Sequence, residues 1–339
     1  MKKLLAIAVV LAAGSSAFGS RARVLALQSA KHIVDVQTVF TRPSDLVALP
    51  EAVSLNFGAG STVGSDADGG LLKAVGESRL GFFVGQVDQT RSGSYLGVEN
   101  PFSIAYGGKA GDVQWAALLS FANSSKKSAA VGAADDQKQS YMNLAGSAVI
   151  GDITAGAILG LGDSATGDGT SETVKYTDAP LTVFGQYSMG DWLTYASYMM
   201  DTTKDDSSGT SIKADKTDIK IGAINSMKKE GADFFYGISY EMGTTKVGTV
   251  KTDSSRLPVL IGIEADAASW LTLRGSVKQN VLVGSDKTTE TDSAPHDTTV
   301  AAGAGFKFNK AVLDVTLTAA GTGSLTSNLG GNAGLTYLF

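Results

Sequence analysis

Residues 111–121 read GDVQWAALLSF, and residues 141–153 read YMNLAGSAVIGDI. In the first stretch Val113, Trp115, Ala117, Leu119 and Phe121 are apolar, with Gln114 and Ser120 among the residues between them. In the second, Met142, Leu144, Gly146, Ala148 and Ile150 alternate with Tyr141, Asn143 and Ser147. Side chains on a strand point alternately to opposite faces, so a period of two marks a strand with one apolar and one wet face. The Gly-Asp pairs at 111–112 and 151–152 each open directly onto a new apolar run. Glycine supplies the positive φ of a tight hairpin, and aspartate tolerates turn geometry.

The same unit recurs along the chain. Phe234, Tyr236, Ile238, Tyr240 and Met242 alternate with Gly237, Ser239 and Glu241. Leu271, Leu273, Gly275 and Val277 alternate with Thr272, Arg274, Ser276 and Lys278. Short turns are predicted at 76–78, 111–112, 151–152, 190–191, 227–231, 266–269 and 309–311. Longer Ser, Thr, Gly and Asp-rich loops fall near 61–68, 90–100, 123–138, 162–173, 202–214, 243–256, 284–298 and 320–327. Seven turns and eight loops join about 16 strands, with 14 as the other candidate count. Residues 51–339 then allow about 18 residues per strand, of which roughly ten would cross a membrane. The expected fold class is all-β: a transmembrane antiparallel β-barrel with short periplasmic turns and longer extracellular loops.

Composition agrees. Charged residues make up 18% of the 339, below the roughly 25% of soluble domains, and there are 41 Gly. Lys and Arg total 28 against 33 Asp and Glu, a net charge of -5, which argues against a nucleic-acid partner. The absence of Cys removes disulfides, thiolate metal sites and cysteine nucleophiles. Two His, His32 and His296, exclude a His-rich metal site, so no metal or cofactor is expected.

The N-terminus follows the plan of an export signal. Lys2 and Lys3 precede the apolar run Leu4–Ala13, and Gly14, Ser15, Ser16 and Ala17 follow. The run is too short for a membrane span of about 20 residues. Residues 1–19 read as a signal peptide cleaved after Gly19, with Ala17 as the second choice; losing two lysines takes the charge from -5 to -7. Downstream, Trp115, Trp192 and Trp270 each begin a strand leaving a short turn, with Phe234 and Phe308 flanking others. Such placement suits an aromatic girdle at the headgroup level.

The final strand places Leu329, Ala333, Leu335, Tyr337 and Phe339 on alternate positions. A terminal Phe339 with Tyr337 two before it resembles the C-terminal assembly signal of Gram-negative outer-membrane β-barrels. Signal peptide, paired strands and this ending together resemble the porin-like barrel class. The resemblance implies a cell outer-membrane location, with outer-membrane lipids, the barrel assembly machinery and small solutes as partners. Porin-like barrels often form trimers, so a homo-oligomer belongs to the same implication.

Residues 20–50 break the hairpin pattern. They carry Arg21, Arg23, Lys31, His32 and Arg42. Asp35, Phe40 and Pro43 lie in a run that resembles the N-terminal segment of fatty-acid-transporter-like barrels, where that segment plugs the lumen. Two readings stand: a periplasmic tail or cap, and a lumen plug.

No catalytic residues emerge, and the expectation is not an enzyme. His296 lies in a Ser/Thr/Asp-rich loop and His32 precedes the barrel, so a Ser-His-acid site has no strand-borne histidine. The glycines from Gly156 to Gly162 lack the following P-loop Lys. Asp135-Asp136 and Asp205-Asp206 read as solvated loop charge rather than calcium ligands.

A charged side chain facing lipid at mid-depth costs about 2–4 kcal/mol for Arg or Lys, so polar strand positions should face the lumen. The pore-lining candidates are Lys73, Lys109, Lys220, Arg274, Lys278 and Lys307, against Glu241, Glu264 and Asp314. The expected function is an outer-membrane channel for passive diffusion of small hydrophilic solutes and ions. The alternatives are a fatty-acid-transporter-like uptake barrel for hydrophobic ligands and a structural surface barrel. Because six basic groups face three acidic ones, the expected ion preference is weakly anionic or neutral, carried by Lys220, Arg274 and Lys278.

Overall fold

The computed structural model describes residues 20–59, 67–85, 101–126, 137–168, 173–206, 211–288, 292–293, 298–320 and 329–339. The signal-peptide reading of 1–19 and most of the expected loop residues lie outside them. Helix α1 (Arg21–Ala26) and two 3₁₀ turns, Val36–Phe40 and Pro43–Ala48, precede the strands. The strands are β1 (Ala52–Ala59), β2 (Asp68–Val75), β3 (Ser78–Val84), β4 (Phe102–Ala110), β5 (Val113–Lys126) and β6 (Gln137–Ile150). There follow β7 (Ile153–Asp168), β8 (Thr173–Asp178), β9 (Leu181–Met189), β10 (Trp192–Asp205), β11 (Ile212–Lys229) and β12 (Ala232–Val247). The last are β13 (Val250–Ala268), β14 (Leu271–Thr288), β15 (Asp292–Ser293), β16 (Thr298–Phe308), β17 (Ala311–Ala320) and β18 (Leu329–Leu338).

Every pairing is antiparallel, and the sheet closes on itself. β18 runs beside β1 from Ala52↔Leu338 to Ala59↔Gly331. β8 and β9 share one wall position between β7 and β10, interrupted at Ala179-Pro180, where proline has no N–H for the ladder. The two-residue β15 extends the β14 edge above β16. The 18 strands of the sheet therefore fill 16 wall positions, the larger of the two candidate counts.

Alternation sets the two faces. Ile104, Leu119 and Leu144 lie side by side and point outward, as do Phe82, Val277 and Leu335. Ser103 and Ser120 point inward from adjacent strands with their hydroxyls 2.7 Å apart. The three tryptophans each meet an aromatic neighbour: Trp115 packs edge-on to Tyr106 at 5.9 Å, Trp192 to Tyr236 at 5.9 Å, and Trp270 stacks on Phe306 at 6.3 Å. Phe308 is likewise exposed beside the Asn309-Lys310 turn. At the barrel seam Phe339 donates its backbone N–H to the Glu51 carbonyl.

The strands run further at the loop end than alternation suggests. The stretch 243–256 is no loop but a hairpin, with β12 reaching Val247 and β13 starting at Val250 around Gly248, at φ 58°. The rungs here are polar on both faces, so the period-two signal fades while the ladder continues. Thr244 donates to Asp253 at 2.6 Å, and Lys251 pairs with the same carboxylate at 2.7 Å.

Leu119→Arg places a cation on the lipid face about halfway up β5. It should lower folding stability in phospholipid vesicles by about 2–4 kcal/mol, measured by denaturant titration. An unchanged midpoint would put Leu119 outside the hydrocarbon band.

Candidate functional site

Residues 20–50 lie inside the barrel. Local chemistry shapes the segment first. Asp35 and Thr38 form a reciprocal capping box at the start of the first 3₁₀ turn, and Pro43 opens the second. The segment then buries two apolar faces against opposite parts of the wall. Val36, Val39, Leu46 and Leu49 pack on Leu72, Phe83, Ala105, Leu118 and Ala145. Leu27, Ala30 and Ile33 pack on Ile224 and Phe235. Ring contacts support both sides, Phe40 to Phe83 at 4.9 Å and His32 to Phe235 at 4.6 Å.

Between these patches runs a buried ionic chain. Arg23 grips Glu264 with two hydrogen bonds, 2.8 and 3.0 Å, and Asp35 with a third at 3.1 Å. Glu264 also accepts from Arg274 at 2.6 Å, and Arg274 donates to Asp314 at 2.5 Å. Ser20 completes the chain by donating to Asp314 at 3.2 Å. Three carboxylates thus share two guanidinium groups. Burial raises the Asp35 carboxyl to about 6 in spite of Arg23, and the nearby Asp314 charge adds to the rise.

Other bonds tie the segment around the circumference. Arg21 pairs with Asp68 and donates its backbone N–H to Asn56 at 3.0 Å. Ser44 bonds Ser147 through both its N–H and its hydroxyl, each at 2.8 Å. Ser276 donates to the Ala26 carbonyl at 2.7 Å, and Arg42 to Gln186 at 3.1 Å. The wall is cut back where the chain enters: a Cβ at Gly334 would sit 2.0 Å from the Ser20 Cβ.

The predicted pore-lining residues separate into groups. Glu264, Arg274 and Asp314 point inward but are buried beneath residues 20–35, so they anchor the segment rather than line open water. Lys220 pairs with Glu241 on the wall of a lumen cavity of about 750 Å³, and Lys278 lines a small neighbouring one of about 40 Å³. Lys109 and Lys307 take inward strand positions near the short turns, Lys307 pairing with Asp266 at 2.8 Å. Lys73 contradicts the expectation. It shares the outward face of β2 with Leu71 and Val75, 3.0 Å from Glu51 and 5.0 Å from the Phe339 ring centre. At the strand's end a long side chain reaches interfacial water, so the penalty that motivated an inward assignment vanishes. With Lys73 on the outer face and Asp266 added as the partner of Lys307, the expected six-to-three basic excess falls to five against four.

The sequence reading missed the apolar half of the lumen wall. Its signal was present as apolar doublets that interrupt alternation: Leu71-Leu72, Phe82-Phe83, Leu118-Leu119 and Phe234-Phe235. In each, the first or second member faces lipid and the other meets residues 20–50. Among the described residues no group of three or more His, Asp or Glu side chains is placed to hold a metal ion.

Arg23→Met should leave Asp35 and part of Glu264 buried without their cation, weakening the docked segment by about 3–5 kcal/mol. The expected outcome is rapid proteolytic cleavage within residues 20–50 of the folded barrel, whose wall stays intact. Cleavage no faster than wild type would show that the ionic chain does not hold the segment.

No family model and no curated protein matches the chain. Solved structures similar to it include a loop-deletion form of OmpT, an outer membrane protein of Vibrio cholerae, at 11% identity and TM-score 0.44, over 85% of this chain and 97% of that one. CdiB from Acinetobacter baumannii is 10% identical with TM-score 0.49, over 85% of this chain and 60% of that one. A triple mutant of the Rhodopseudomonas blastica porin is 9% identical with TM-score 0.36, over 86% and 99%. The closed antiparallel wall of 16 positions and its apolar outer face give this chain the fold of a membrane-spanning β-barrel.

Proposed function

We propose that the chain is an outer-membrane channel for small hydrophilic solutes and ions in which residues 20–50 form the constriction. The observation that carries this reading is the lumen cavity of about 750 Å³ left beside the segment. Its lining includes Lys31, Arg42, Lys216, Lys220, Asp218 and Glu241. Charged groups set around a space this size favour hydrated solutes, since burying them against an alkyl chain would forfeit their solvation. The reading is non-enzymatic. Ser226 donates to Asp233 at 2.7 Å and His32 approaches the same carboxylate at 3.7 Å, so the serine is not aligned with the imidazole that would have to activate it.

A second reading draws on the same cavity. Phe40, Ile158, Phe184 and Met199 also line it, which favours uptake of an apolar ligand.

Planar-bilayer recording separates the two. The full chain should give discrete steps of small conductance. Gly334→Leu, which puts a side chain where Ser20 docks, should raise the step several-fold. Silence from both proteins, each folded by the heat shift of its gel mobility, would contradict the channel reading and leave the apolar-ligand one.

A further inference from the structure

Lys31 differs from four cations that line the same cavity. Arg42 holds Asp45 at 2.7 Å, Lys216 holds Asp218 at 3.1 Å, Lys220 holds Glu241 and Arg21 holds Asp68. Lys31 makes no ion pair among the described residues, yet it lines both the larger cavity and the smaller one beside it. The groups that face it are Arg42 from the segment, Lys220 from β11, Glu241 from β12 and Lys278 from β14, with Tyr195 of β10 on the shared lining. Three cations and one carboxylate therefore surround a fourth cation.

An ammonium withdrawn from bulk water and ringed by like charge is stabilised by a counter-anion. The cavity provides the volume, and the aromatic and methionine side chains around it lower the local dielectric, which strengthens the attraction. We infer that this part of the lumen is a binding site for a small oxyanion, a carboxylate or a phosphate, with Lys31 as the recognising cation and Lys220, Lys278 and Arg42 reinforcing the field. The inference deepens the channel reading, since it names the solute class, but binding itself does not require conduction.

Proton linkage follows. Burial, then the charges of Lys220, Arg42 and Lys278, bring the Lys31 ammonium down to about 8. Below pH 8 it is charged and attracts the anion; above, the attraction is lost. A bound anion stabilises the protonated form, so binding near pH 8 draws in a proton.

The test is calorimetric titration of the full chain, folded in dodecyl maltoside, with inorganic phosphate and separately with succinate at pH 7. At least one should bind saturably, and which one assigns the oxyanion. Lys31→Gln should weaken binding at least tenfold, whereas Lys31→Arg and the exposed-site control Lys229→Gln should retain it. Wild-type affinity for succinate, whose own charge is constant in this range, should fall between pH 7 and pH 9, with proton uptake at pH 8. These wild-type measurements decide the matter even if Lys31→Gln does not fold. Absence of binding by either anion, equal binding to Lys31→Gln, or a flat pH profile would overturn the inference. Conductance without anion binding would sink the site and spare the channel; binding without conductance would do the reverse.

Discussion

Lipid offers no hydrogen-bond partners, so every N–H and C=O at membrane depth must be satisfied within the sheet. The pairing of β18 with β1 meets that demand, and the rest of the molecule follows from it. A closed wall of 16 positions cannot be filled by its own inward side chains. Closure therefore creates a lumen, and residues 20–50 occupy part of it. The seam places Glu51 next to Phe339, which brings the end of the inserted segment to the start of the wall. The segment folds back from there among inward residues of β1, β2, β6, β9, β13, β14 and β17.

Inside the lumen two kinds of attachment divide the labour. The apolar contacts of Leu46, Leu49, Leu27 and Val39 supply most of the non-directional stabilisation, since burying one such side chain contributes roughly 1.5–3 kcal/mol. The ionic chain from Ser20 to Asp35 supplies geometry. Buried ion pairs add little net stability because desolvation offsets attraction, but breaking one leaves a charge stranded. Arg23 can satisfy Glu264 and Asp35 together only in one placement, so the chain fixes register and orientation. Where no wall carboxylate meets a cation of the segment, as at Lys31, the lumen keeps an unmatched field.

Much of this was legible in residue order. Trp115, Trp192 and Trp270 marked one rim because an amphipathic ring prefers the headgroup level, and that preference acts locally. Alternation in 113–121 and 141–150 gave strands because one face meets lipid along its whole length. The signal failed where its physical cause was absent. Beyond the hydrocarbon band neither face is apolar, so the hairpin at 243–256 read as a loop. Lys73 was assigned inward because depth along β2 cannot be read from pattern alone. Leu118-Leu119 and Phe234-Phe235 broke the alternation for a tertiary reason, since the inward member meets a segment remote in sequence. Likewise Arg274 looked like a free pore charge because its partners Glu264 and Asp314 lie on other strands.

The claim that residues 20–50 sit docked in the lumen is open to a direct measurement, because the chain has no cysteine of its own. Ser44 and Ser147 approach with their hydroxyl oxygens 2.8 Å apart, one on the inserted segment and one on β6. In the double variant Ser44→Cys with Ser147→Cys, mild oxidation of the folded protein should form an intramolecular disulfide in nearly every molecule, read by mass and by gel mobility. A correctly folded barrel whose two thiols stay free under oxidation would contradict the account.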